Sequence, residues 1–126
     1  MTSTALISSL LLLLALQAPV TPALASSGCS SITPWVHKLR EQMDRLKVDH
    51  PRVVAMICAD LVIAPTSDGN ALVAPLNGEF ARCGTTALPL CNEAVSEMVD
   101  VVGRIAALQA YAVTERCAVP SLPSPC

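Results

Sequence analysis

Six cysteines, at positions 29, 58, 83, 91, 117 and 126, limit what this chain can become more than any other feature. All of them lie beyond residue 25, and an even number in a short chain reads as a framework of three disulfides. Spacing alone leaves every pairing open. Disulfides persist in oxidising compartments, and the first 25 residues point to one. They hold an apolar run from Leu10 to Leu16 and a small-x-small phrase, Ala23-Leu24-Ala25, the pattern of a cleaved secretory signal. Pro19 and Pro22 interrupt the run before it reaches the roughly 20 apolar residues of a membrane span. The expectation is a signal peptide over residues 1–25 and a single disulfide-rich helical domain over residues 26–126. The destination is secreted and extracellular, with no integral membrane segment after signal cleavage.

Cleavage after Ala25 leaves about 101 of the 126 residues, enough for one domain. A chain of that size buries only about 60–65% of its extended surface, so its core alone is marginal. Each disulfide adds about 2–4 kcal/mol, largely by restricting the unfolded chain. The net charge of −2 is too weak to select nucleic acid as a partner. The apolar residues are mostly Ala, Val and Leu, with Trp35, Phe80 and Tyr111 as the only aromatics, so the core packs small side chains.

Hydrophobic periodicity gives helices. Thr33-Pro34 is a helix start, a capping hydroxyl followed by proline at the first helical position. Val36, Leu39, Met43 and Leu46 then fall on one stripe, while the charged residues from Lys38 to Lys47 cover the rest of the surface. Pro51 ends this helix and opens a second, from Arg52 to about Ile63. The β-branched residues from Val53 to Cys58 make a strand the competing assignment there. Thr66-Ser67-Asp68-Gly69-Asn70 reads as a turn whose Asp-Gly supplies a positive φ, and with its flanks it forms the tip of a short hairpin. Pro75 precedes a helical turn, Leu76 to Arg82. From Cys91 a long helix runs towards Cys117, its apolar face made by Val95, Met98, Val99, Val102, Ile105 and Ala106. The tail from Ala118 to Cys126 has three prolines in its last seven residues and cannot be helical, so Cys126 must pin it to the body. The fold class expected is all-α, a small disulfide-stapled helical bundle with at most a minor β-hairpin.

Catalytic chemistry is not visible. His37 and His50 have no second ligand at metal-binding spacing, and neither HExxH nor CxxC occurs. Asp68 and Asn70 lack the remaining acidic ligands of a calcium loop. Cysteines committed to disulfides are not nucleophiles. The reading is a non-enzyme with no cofactor and no metal.

The order of the cysteines and the phrases around them resemble the elicitins and elicitin-like proteins, small secreted sterol-binding proteins of oomycetes. Cys29 stands almost at the mature N-terminus, and an amphipathic helix leads towards Cys58. DGNALVAPLNGEFARC ends at Cys83, LPLCNEAVSEMV opens a helix at Cys91, RCAVP follows at Cys117, and Cys126 closes the series. The resemblance implies the pairs Cys29–Cys117, Cys58–Cys91 and Cys83–Cys126. It also implies an apolar pocket for a sterol or other apolar lipid, with Leu39, Met43, Met56, Leu72, Phe80, Met98, Val102 and Ile105 as lining candidates. A host cell-surface receptor and elicitation of host defence responses belong to the same implication. The alternative is a small secreted helical cytokine or hormone, whose exposed face from Lys38 to Lys47 binds a cell-surface receptor.

Overall fold

The computed structural model describes residues 28–63 and 68–126. The expected signal peptide lies outside the described residues. The chain divides into two compact units, Met1–Ser31 and Ile32–Cys126. Of the first, the described part is a 3₁₀ turn at Gly28–Ser31. The described part of the second contains four helices: α1 (Ile32–Asp49), α2 (Pro51–Asp60), α3 (Gly69–Cys83) and α4 (Cys91–Glu115). No strand occurs among the described residues, so this is an all-α bundle stapled by disulfides.

Helix α1 follows its stripe. Ile32, Val36, Leu39, Met43 and Leu46 are buried at three- and four-residue steps. Pro51 opens α2 as expected, at a position where a missing N–H costs nothing. Val53, Val54 and Ile57 carry the burial, and the helix stops at Asp60, three residues before Ile63. The strand assignment for Val53 to Cys58 loses to helix because those residues share one buried face.

The expected hairpin around Asp-Gly is replaced by α3. Asp68 caps this helix, its carboxylate accepting from Asn70 N–H at 3.0 Å. Gly69 is therefore the first helical residue and needs no positive φ. What it needs is space: a Cβ built there would meet Ala106 N at 2.7 Å and Val102 O at 2.8 Å. Pro75 lies inside α3 instead of before it. Local propensity opposes this, since an interior proline costs about 3 kcal/mol. The packing of α3 along α4, the most extensive helix pair in the body, supplies the compensation.

Helix α4 runs antiparallel to α3. Gly69 at the start of α3 accepts contact from the second half of α4 and donates its N–H to Gln109 Oε1 at 3.0 Å. Cys83 at the end of α3 is bonded to Cys91 at the start of α4. The ten buried residues of α4 make it the central element of the core. It ends in a left-handed residue, Arg116 (φ 55°), with Cys117 N–H donating to Ala112 O at 2.8 Å. That is the bonding of a Schellman cap, built here without glycine.

Two implied cysteine pairs are corrected. The bonds are Cys83–Cys91 and Cys58–Cys126, not Cys58–Cys91 and Cys83–Cys126. The reason is reach. A bridge needs Cα atoms within about 7 Å, and the α3–α4 turn brings Cys83 and Cys91 to 5.5 Å. Cys58, in the last part of α2, is then met by the tail, with Cα atoms 5.8 Å apart. Cys29 and Cys117 are also disulfide-bonded, and no cysteine is free.

Candidate functional site

Positions Lys38, Glu41, Gln42, Arg45 and Asp49 recur at helical spacing, so they form one exposed ridge of α1. Glu97, Asp100 and Arg104 do the same on α4. Where the two ridges face each other they leave an open groove of about 530 Å³ with Leu39 and Trp35 among its lining. Gln42 Nε2 donates to Asp100 Oδ2 at 3.1 Å, and Arg104 Nε lies 3.3 Å from the same oxygen. Lys38 Nζ sits 5.1 Å from the centre of the Trp35 ring, a cation–π contact that holds the half-buried indole in place. Three cationic side chains (Lys38, Arg45, Arg104) and three carboxylates (Glu41, Asp49, Glu97) line the groove, so its charge balances. Such a surface does not select a polyanion. It can match a partner that offers both signs and an apolar group for Trp35.

A second concavity lies between α3, α4 and the tail. Leu72, Val102 and Ile105 form its walls, Ile63 contributes from the segment after α2, and Pro123 and Pro125 close it. The free volume left is about 10 Å³, at the lower limit for a single water. Of the eight side chains expected to line a lipid pocket, Leu72, Val102 and Ile105 meet here. Leu39 lines the polar groove instead. Met43 and Met98 are completely buried in the packed core, and Met56 and Phe80 pack against it from the side. Among the described residues the eight are thus divided between the groove, the filled cleft and the core.

A third cluster was not anticipated. Glu79 lies on the buried face of α3 between Leu76 and Cys83 and is 1% exposed. Neither of its oxygens finds a hydrogen-bond donor. Arg82 Nε is 3.8 Å away, while Arg82 Nη1 is committed to Asp60 Oδ1 at 2.8 Å. Burial pushes the Glu79 carboxyl up to about 7, and the adjoining Asp60 carboxylate, which can accept a hydrogen bond only from a protonated Glu79, pushes the same way. Asp60 moves down, its ionised form favoured first by the neighbouring Glu79 carboxyl and then by Arg82, whose Nη1 lies 2.8 Å away. The spacing Leu76, Glu79, Cys83 is the signal that places this acid on the apolar face; it is legible once α3 is recognised as a helix.

His37 pairs with Glu41 at 3.2 Å on the exposed face of α1, and His50 is half-buried at the α1–α2 corner. No group of three metal-ligating side chains occurs among the described residues, and no helix among them is long and apolar enough to cross a membrane. Set against protein-family models, curated proteins and solved structures, the chain matches none.

Proposed function

We propose that this protein is a secreted, disulfide-stapled helical ligand that acts by recognising another protein through the groove between α1 and α4. The observation that carries the reading is the groove itself: about 530 Å³, open to solvent, charge-balanced and anchored on Trp35. Tryptophan and arginine dominate protein-recognition hot spots, and Trp35, Arg45 and Arg104 stand together there. The alternative drawn from the sequence, receptor binding by the face from Lys38 to Lys47, uses the same ridge of α1. Secretion accords with the disulfides and with the signal-like first 25 residues. The reading needs no catalytic group.

Lipid carriage, implied by the elicitin resemblance, has less support. Its candidate side chains are divided among core, groove and a filled cleft, and the cysteine pairing differs from the one that resemblance implies.

The test compares oxidised wild-type protein with Trp35→Ala and Arg45→Ala in saturable binding to a panel of intact cells, with Val113→Ala, on an exposed part of α4, as control. The expected result is at least a tenfold weakening for the two groove variants, unchanged circular dichroism and unchanged binding by the control. Equal binding by all variants rejects the groove. One-to-one uptake of a fluorescent sterol, lost on reduction, supports lipid carriage instead.

A further inference from the structure

The filled cleft between α3 and α4 already contains a ligand, the protein's own tail. Pro123 and Pro125 fill the space against Leu72, Val102 and Ile105, and Pro125 is buried. The segment has no regular secondary structure, and two polar contacts hold it. Ser124 Oγ donates to Ile63 O at 3.4 Å, and Arg40 Nη2 donates to Ser121 O at 2.9 Å. Seating proline rings in an apolar groove is a means by which proline-rich peptides are recognised. One covalent bond at the end of the segment, Cys58–Cys126, holds it there.

We propose that this cleft is a binding site for a Pro-x-Pro peptide, occupied in cis by Pro123-Ser124-Pro125 and opened by reduction of Cys58–Cys126. A partner peptide of the same chemistry must displace a segment whose effective concentration, while tied, is on the order of millimolar. Cutting the tie lowers that advantage, because the segment is then held only through the chain at Cys117. The reductant is a dithiol. One of its thiolates attacks a sulfur of the Cys58–Cys126 bond, its second thiolate resolves the mixed disulfide, and the dithiol leaves as a disulfide. The two cysteines gain two electrons and two protons. Accessibility favours attack here over Cys83–Cys91, since Cys126 is exposed and Cys58 half-buried while Cys83 and Cys91 are both buried. Cys29 and Cys117, exposed and half-buried, are as open to the dithiol. Nothing in this inference depends on the groove between α1 and α4.

The test uses the full chain and, as probe, a synthetic peptide with the sequence from Ala118 to Pro125. Oxidised wild-type protein and the double variant Cys58→Ser, Cys126→Ser are titrated with the peptide and followed by NMR at the methyl groups of Leu72, Val102 and Ile105. Saturable shifts at these methyls in the double variant, with at least tenfold weaker binding by the oxidised wild type, are expected. A folded double variant that ignores the peptide overturns the proposal. So does a double variant that takes up a short-chain alkyl detergent at the same methyls but not the peptide. If the double variant fails to fold, limited dithiothreitol treatment of wild-type protein and mass-spectrometric mapping decide instead. Labelling at Cys58 and Cys126 before Cys83 and Cys91, accompanied by peptide binding, is the expected result. Opening first at Cys83–Cys91, or labelling at Cys58 and Cys126 without peptide binding, overturns the proposal.

Discussion

The two sides of α4 show opposite solutions to the same problem of packing one helix on another. Towards α1, Glu97, Asp100 and Arg104 put hydrated side chains along the edge of the contact, and a groove of about 530 Å³ remains. Towards α3, the positions are Val102, Ile105 and Ala106, and the approach is so close that Gly69 has no room for a methyl group. About 10 Å³ is left on that side even where the tail enters. Long charged residues leave room for a partner, whereas small apolar ones leave room only for the chain itself. The stability of the body should therefore sit on the α3 side and its recognition on the α1 side.

The largest effect that tests this division is covalent. In the chain-entropy account, the Cys58–Cys126 bond, which spans 68 residues, contributes about 4 kcal/mol. The Cys83–Cys91 bond, which spans 8, contributes about 2.5 kcal/mol. Urea midpoints of the two double-serine variants should fall in that order. The reverse order would show that the α3–α4 turn, and not the tail, is the weak part of this side. Next comes Gly69→Ala, where backbone atoms of α4 must move. A loss of about 3 kcal/mol is expected, while Gly103→Ala, on α4 where a Cβ meets nothing, should gain about 0.5–1 kcal/mol. If both changes are neutral, the close seam is not rigid.

Glu79 gives a pH signature on the same side. It ionises at an ordinary value of 4.5 when exposed, but holds its proton up to about 7 in the folded chain. Folding thus takes up a proton between those values. The contribution of Glu79 to stability is complete below 4.5 and is lost as pH rises through 7. Asp60, shifted downward, acts in a separate window, adding stability above its ordinary 3.8 that is lost in stronger acid. Glu79→Gln should remove the decline between pH 4.5 and 7 and gain about 2 kcal/mol at pH 8, allowing for screening by solvent around Asp60 and Arg82. Thermal unfolding at a series of pH values checks it, and a slope unchanged by the substitution would place its source elsewhere. The smallest effects belong to the α1 side. Arg45→Ala and Glu97→Ala should each change stability by less than about 0.5 kcal/mol, in contrast to the tenfold weakening of binding expected of Arg45→Ala.

Three of the four helices were legible in the sequence because their apolar stripes are regular. The Val36 to Leu46 stripe and the run from Val95 to Ala106 appear as buried faces, with Val99 half-buried, and α2 starts at Pro51. Helix α3 was legible only in its second half, the turn from Leu76 to Arg82, because Gly69, Pro75 and Gly78 each argue locally against a helix that contact with α4 sustains. The cysteine pairing was hidden for the same reason, since it depends on where α3 ends. The site was legible in part. The charged ridge of α1 could be read from spacing, but its facing residues on α4 could not, because their meeting depends on how the two helices pack. The lipid-pocket candidates show the complementary limit, as periodicity marks Met43 and Met98 as buried without distinguishing a cavity wall from a filled core.

The Cys58–Cys126 bond also has a mechanical meaning. Helices α3 and α4 lie within a loop whose ends are joined by two sulfur atoms. Tension applied at residues 58 and 126 is borne by that bond, and both helices remain slack however hard the chain is pulled there. Roughly 230 Å of contour, at about 3.4 Å for each enclosed residue, stays withheld. A dithiol that cuts the bond turns this inextensible link into a spring, its stiffness then set by the seam between α3 and α4.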